Sequence, residues 1–406
     1  MTMSAENIIT EQLATAITLK CGGEDLRECL TCDICVSTCF LTDAYPAMNP
    51  RVLTRKILDG RIQDLVDSEF IWACTLCTRC TVDCPKGLKM DLIVRTLRNL
   101  AREQGKGPKR LIEGVERIKE VGNSVGIDSK EFIETLEWLG EEAVAEIENI
   151  DEENFAVPVD KEGAEFLYLP NPREYTSSPH LFSVYLRFFS VINADWTFGS
   201  DVCDISNWAY FIGDEETSYK LVRNIVDTTR RLAVKTLVST ECGHGLKILR
   251  NDAERMLGEP LGFEVISIVE LAHRSFKEGR LRLIRGAVED SVTYHDPCDV
   301  GRKLGIYEPP RDLLKFVAQD FIEMSPHSKY SLCCGGGGSV AQNTDMGKKR
   351  LENARPKRDQ ILETGAKVVA TACQACLTQL NDIKVHYNMP VTVKSVLELV
   401  VESLAD

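Results

Sequence analysis

Two stretches of this chain place four cysteines at one tight spacing, and nothing else in its 406 residues constrains the fold as strongly. The first is Cys29, Cys32, Cys35 and Cys39, in CLTCDICVSTC; the second is Cys74, Cys77, Cys80 and Cys84, in CTLCTRCTVDCP. Both read C-x2-C-x2-C-x3-C. Pro85 closes the second run, whereas Phe40 stands at that place in the first. Three thiolates so close in sequence wrap one cube of iron and sulfide, and the fourth points at the other cube. The spacing therefore predicts two [4Fe–4S] cubane clusters. One sits on Cys29, Cys32, Cys35 and Cys84, the other on Cys74, Cys77, Cys80 and Cys39. Zinc takes two pairs of ligands in one tetrahedron, which fits two identical four-member runs badly.

The gap between the runs is too long for a minimal two-hairpin ferredoxin. Pro50 marks a helix start, and Val52, Leu53, Ile57, Ile62, Leu65 and Val66 follow at mostly helical spacing. Met90 to Leu100 is helical as well. The expectation is a two-cluster α-helical ferredoxin domain over 1–107, then an acidic helical connector over 108–160. A basic stretch, Arg79 to Lys119, precedes an acidic one, Asp128 to Glu153. These read either as solvated helical faces or as a docking surface.

Beyond the connector, short β-rich runs alternate with helical ones: Phe166 to Leu169, Lys235 to Thr240, Phe263 to Ile266, Val292 to His295 and Lys367 to Ala370. That alternation predicts an α/β core. Here the cysteines form another set, Cys298, Cys333, Cys334, Cys373 and Cys376, written C-x34-CC-x38-C-x2-C. Gly335 to Gly338 follow the double cysteine and permit close backbone approach. Adjacent cysteines serve one zinc poorly but can serve different irons of a cluster.

This unit is an imperfect copy of the one before it. Cys203 and Cys242 are separated by 38 residues, like Cys334 and Cys373. LVSTECGHGL, from Leu237, lies over VVATACQACL, from Val368, and SIVEL at Ser267 matches SVLEL at Ser395. The earlier copy lacks ligands: Val202 stands for Cys333, Gly245 stands for Cys376, and the Tyr168 to Pro172 region has nothing for Cys298. The predicted boundaries are 161–285 for the degenerate repeat and 286–406 for the intact one. Fold class is thus α plus α/β, a helical ferredoxin module followed by two α/β repeats.

The five-cysteine set with CCGGGG, together with HDPC at His295 to Cys298, resembles the CCG domain of heterodisulfide reductase catalytic subunits. A dicluster ferredoxin fused to two such repeats is similar to the HdrD-like and DsrK-like subunits of membrane redox complexes. The resemblance implies one noncubane [4Fe–4S] cluster on Cys298, Cys333, Cys334, Cys373 and Cys376, and reductive cleavage of a sulfur–sulfur bond. It puts a second noncubane cluster in doubt. Cys203, Cys242 and His244 either line the pocket or are buried relics. His295 either delivers a proton or caps a strand end. Cys21 fits no motif and is taken as a free thiol.

The resemblance further implies an integral-membrane cytochrome b-type partner, other redox subunits and a small cysteine-bearing sulfur carrier protein. Two other functions stay open: a pure electron relay, and the iron–sulfur subunit of a flavin-dependent hydroxy-acid or glycerol-3-phosphate dehydrogenase. No G-x-G-x-x-G follows a strand, so the chain shows no dinucleotide site. Net charge of -14 argues against nucleic acid as a partner. Met1 to Lys20 lacks the charged start and apolar middle of a signal peptide, and no apolar run nears membrane-spanning length. The expectation is a cytoplasmic protein, held at the inner face of the membrane through its partner. Cysteines in such a chain are metal ligands rather than disulfides.

Overall fold

Helices frame the two cysteine runs. Pro50–Leu58 (α1) begins at an Asn49 cap whose side chain accepts the Val52 N–H, with Pro50 in the first turn where its missing N–H costs nothing. Ile62–Val66 (α2) follows. Met90–Glu103 (α3) buries Met90, Ile93, Val94, Leu97 and Ala101, a stripe at helical spacing. Lys109–Val121 (α4) and Ser129–Val144 (α5) lie in the expected connector. The computed structural model describes residues 26–144 and 155–405. Cys21, the Met1 to Lys20 segment and the end of the acidic stretch lie outside them.

Two parallel sheets follow, built to one plan. Phe166–Leu169 (β1), His180–Val191 (α6), Trp196–Thr197 (β2), Glu215–Arg231 (α7), Thr236–Ser239 (β3) and Glu264–Ser267 (β4) make the first, with strand order β2-β1-β3-β4. Ile268–Lys277 (α8) leaves β4. Val292–His295 (β5), Glu308–Val317 (α9), Phe321–Ile322 (β6), Val368–Thr371 (β7), Gln374–Tyr387 (α10) and Thr392–Ser395 (β8) make the second, in the matching order β6-β5-β7-β8. Val396–Glu402 (α11) leaves β8. Every pairing is parallel; β5 lies against β7 with His295 opposite Thr371. Strands covered on both faces read as apolar runs rather than alternating ones, which is why FLYL and VVAT were legible.

The duplication reaches to the helix caps. Ser267 accepts the Glu270 N–H while Glu270 accepts the Ser267 N–H; Ser395 and Glu398 do the same. Each capping box satisfies two orphan donors at a sharp strand-to-helix turn. β2, β6 and β8 were not legible in sequence. Two are two-residue edge strands, and the third runs straight into the SVLEL capping box.

The described residues divide into two compact units. One comprises residues up to 113 with 209–214 and 332–359; the other comprises 114–208, 215–331 and 360 onward. Both sheets belong to the second unit. The CCGGGG segment belongs to the first, with the ferredoxin runs.

Candidate iron–sulfur centres

In the first unit, each cysteine run bends around a cavity using the same device. Thr31 and Asp33 flank Cys32, and Leu76 and Thr78 flank Cys77; all four have positive φ, from 52° to 63°. None is glycine, so each carries strain on the order of 1–2 kcal/mol. The repeat of this strain at equivalent places turns both loops inward before the short helices Ile34–Ser37 and Arg79–Val82.

Cys29, Cys32, Cys35 and Cys84 line one cavity, which Cys80 also reaches. Cys39, Cys74, Cys77 and Cys80 line the other. Burial, then the neighbouring thiols Cys29, Cys84 and Cys32, push the Cys35 thiol up to about 11. Burial pushes Cys39 up to about 12, with Cys77 and Cys74 adding to it. Four clustered sulfurs resist ionising together. Iron bound there would reverse this, because its charge favours thiolates. Four soft sulfur donors around an enclosed, strained loop suit an iron–sulfur cube.

The double cysteine lies in the same unit. Gly335 donates its N–H toward Cys333 Sγ at 3.3 Å, and Gly336 toward Cys334 Sγ at 3.5 Å. The Thr75 hydroxyl, next to Cys74, is 3.3 Å from Cys333 Sγ. Gly338 has φ of 57°, and a Cβ there would lie 2.7 Å from the Thr75 carbonyl carbon. One role of the glycines is therefore to let this loop lie against the backbone of the second ferredoxin run.

In the second unit, the remaining ligand candidates stand beyond the carboxyl ends of central parallel strands, where α/β sheets bind their ligands. Cys298 follows β5 by three residues; Cys373 follows β7 by two and opens α10. A hydrogen bond from Cys376 holds the Cys373 thiol below its ordinary range. Buried His295 ends β5, and its carbonyl accepts from Thr371 Oγ1.

The first repeat meets the second at these loops. Gln374 N–H donates to the Glu241 carbonyl at 2.7 Å, beside Cys242 and Cys373. Cys242 accepts from Asn171 Nδ2 at 3.5 Å, and burial with the nearby Cys373 pushes its thiol up to about 12. A cysteine at 245, the place that Cys376 takes in the second repeat, would not fit: a Cβ there would clash with Ile205 Cγ1 and lie 2.6 Å from its carbonyl oxygen. His244 is buried with Nε2 3.1 Å from the Asn207 carbonyl, and burial pushes it down to about 4, so it is neutral near pH 7. Cys203 is buried, and its carbonyl accepts from Tyr175 Oη at 2.8 Å.

Two buried carboxyls lie behind these loops, Glu174, which sequence reasoning missed, and Glu241 of the ECGHG segment. Glu174 receives Tyr168 Oη at 2.8 Å, Gln374 Nε2 at 2.6 Å and the Asn171 N–H at 3.0 Å. Glu241 receives the Val396 N–H at 3.2 Å. Burial pushes Glu174 up to about 7 and Glu241 up to about 8. Glu174 had a signal: Asn171-Pro-Arg-Glu174 has the form of a capping box, and forms one. The basic stretch also differs from a wholly solvated face, because Arg95 and Arg98 are buried.

Residues 25–88 match the 4Fe-4S dicluster domain family, and residues 292–381 match the cysteine-rich domain family. The chain is 24% identical over 410 residues to the D component of the dihydromethanophenazine:CoB–CoM heterodisulfide reductase of Methanosarcina barkeri, covering 94% of each chain. It is 27% identical to a probable membrane-anchored ferredoxin of Chromohalobacter salexigens, covering 84% of this chain and 49% of that one. It is 26% identical to the EtfAB:quinone oxidoreductase of Syntrophomonas wolfei, covering 79% and 44%. The chain thus spans about half the length of the latter two. It is similar to that heterodisulfide reductase component along nearly all of its length. Among the described residues, no helix is long and apolar enough to cross a membrane.

Proposed function

We propose that this chain is the iron–sulfur subunit of a membrane-associated complex that reduces a heterodisulfide or a protein trisulfide. Cys29, Cys32, Cys35 and Cys84 would hold one [4Fe–4S] cubane; Cys39, Cys74, Cys77 and Cys80 would hold a second. Cys298, Cys333, Cys334, Cys373 and Cys376 would hold a noncubane [4Fe–4S] cluster. When bound, such centres supply electrons singly and an iron that accepts a substrate sulfur. Cleaving one sulfur–sulfur bond consumes two electrons and two protons; a disulfide leaves two thiols, and a trisulfide leaves one thiol and one persulfide. The protein's part is to hold the thiolates and move the protons. Cys373, whose thiol ionises more readily than usual, is a ready ligand. His295, buried at the end of β5, is assigned to protonating a leaving thiolate.

The observation that carries this reading is the lopsided repeat. The second repeat keeps a Cys-x2-Cys beyond its central strand, while Ile205 fills the space a thiol at 245 would need. One sulfur-handling site per chain follows. A cytochrome b-type membrane subunit would bring electrons from a quinol, with other redox subunits beside it at the cytoplasmic face. A small cysteine-bearing carrier protein would bring the sulfur. Iron analysis should find three four-iron clusters. Paramagnetic spectra should then show one signal that changes on adding a disulfide or trisulfide, and Cys376→Ala should remove that signal while sparing the cubanes.

A second reading, electron relay without bond chemistry, is favoured by the similarity to an EtfAB:quinone oxidoreductase. It predicts no spectral response to any sulfur ligand and a flavoprotein partner in co-purification.

A further inference from the structure

Arg98 is a fully buried cation at 0% exposure, and its hydrogen bonds all end on carbonyl oxygens. Nε donates to Ile71 at 2.7 Å, Nη2 to Cys74 at 2.6 Å, and Nη1 to Phe211 at 3.1 Å and Gly338 at 2.9 Å. The Trp72 ring lies 5.3 Å from the guanidinium carbon. Among the described residues, no carboxylate forms an ion pair with it. Carbonyls satisfy the donors but leave the charge uncompensated, and an uncompensated buried charge is costly. An anion beside Cys74 would compensate it, and a thiolate-ligated cluster is such an anion.

The other cavity is different. Its cations, Arg51 and Lys86, sit at the surface, paired with Asp33 at 2.7 Å and Glu28 at 2.8 Å. Around the Cys74 cavity, Arg79 is likewise taken up by Asp83 at 2.6 Å, and Asp91 adds a negative charge. Arg98, which reaches the Cys74 carbonyl, has no acidic partner among the described residues.

We propose that Arg98 sets the reduction potential of the centre held by Cys39, Cys74, Cys77 and Cys80, and ties that centre to the CCGGGG loop. Adding an electron makes the centre more negative, and the guanidinium stabilises the added charge, so the potential rises. The same guanidinium bonds the Cys74 and Gly338 carbonyls, fixing the loop where the Thr75 hydroxyl meets Cys333 Sγ. Arg98 is thus a positioning residue as well as a charge. The Cys32 set, with its exposed thiol, becomes the outer member of the pair and the Arg98 set the inner one.

This inference rests on the reading that both cavities hold [4Fe–4S] clusters, and the test separates the two. Spectroscopically monitored redox titration of the full iron-loaded chain gives both cubane potentials. Arg98→Gln should lower one of them, shifting that reduction equilibrium about tenfold, or ~59 mV for one electron, and leave the other in place. Asp91→Asn, on a partly exposed side chain, should move the same potential upward. Arg98→Lys should recover most of the loss. Iron-loaded Arg98→Gln with both potentials unmoved, or both moved equally, overturns the proposal. If Arg98→Gln does not retain iron, Asp91→Asn and Arg98→Lys decide. Asp91→Asn must raise one potential alone and Arg98→Lys must leave that one near its original value; otherwise the proposal fails. Wild-type protein lacking two cubane signals would instead sink the cluster reading itself.

Discussion

Replacing Glu174 by glutamine should make the protein more stable at alkaline pH and no more stable at acid pH. Glu174 is fully buried, and burial raises its carboxyl from 4.5 to about 7. Between those values the folded state keeps a proton that the unfolded state has released. Stability therefore falls as pH rises through this window, because the unfolded chain binds fewer protons. A shift of that size corresponds to about 3 kcal/mol at 1.36 kcal/mol per unit. That cost is fully present above pH 7 and absent below 4.5. Glutamine carries no charge at any of these pH values, so it removes the cost. Its carbonyl can accept the Gln374 Nε2 and Asn171 N–H donors, but its amide leaves the Tyr168 hydroxyl without its acceptor. A lost hydrogen bond costs about 1 kcal/mol. The variant should gain about 2 kcal/mol at pH 8 by this reckoning and lose about 1 at pH 4. Urea midpoints compared at the two pH values measure the difference. Infrared spectroscopy gives the direct check: a protonated carboxyl band at pH 6 that fades with a midpoint near 7 and is missing in Glu174→Gln. A variant whose stability tracks the parent at every pH would refute the argument.

Gly338→Ala should destabilise the first unit by roughly 2–5 kcal/mol, from the positive φ and from contact with the Thr75 backbone; a lowered urea midpoint with loss of iron checks it. Gly245→Cys should add no iron and should weaken the fold, because Ile205 occupies the space; iron content and unfolding midpoint together decide. Cys84→Ser and Cys32→Ser should disturb one paramagnetic signal, while Cys39→Ser and Cys77→Ser disturb the other. Cys84 grouping instead with Cys77 would contradict the cavity linings.

The sequence by itself determined the cysteine spacing, the central strands and the duplication. Cysteine spacing is a local property, and loops that turn back on themselves every three residues leave little choice of ligand. Apolar runs marked the central strands because both their faces are covered, and SIVEL and SVLEL, read only as a repeat, turn out to form two capping boxes. Self-comparison exposed the duplication, which the matched strand orders repeat. The candidate ligand positions that the first repeat lacks were readable by self-comparison alone.

Only the tertiary structure decided what surrounds those cysteines. That the CCGGGG loop belongs with the ferredoxin runs rests on contacts across more than two hundred residues, such as Thr75 with Cys333. A buried arginine and a solvated one are indistinguishable in a basic stretch. Arg98 is set apart because the Ile71, Cys74, Phe211 and Gly338 carbonyls converge on it from three segments of chain. Glu174 likewise owes its raised pKa to enclosure rather than to sequence neighbours. Charge is written in the sequence, but the dielectric around it, and hence its energy, is made by the fold.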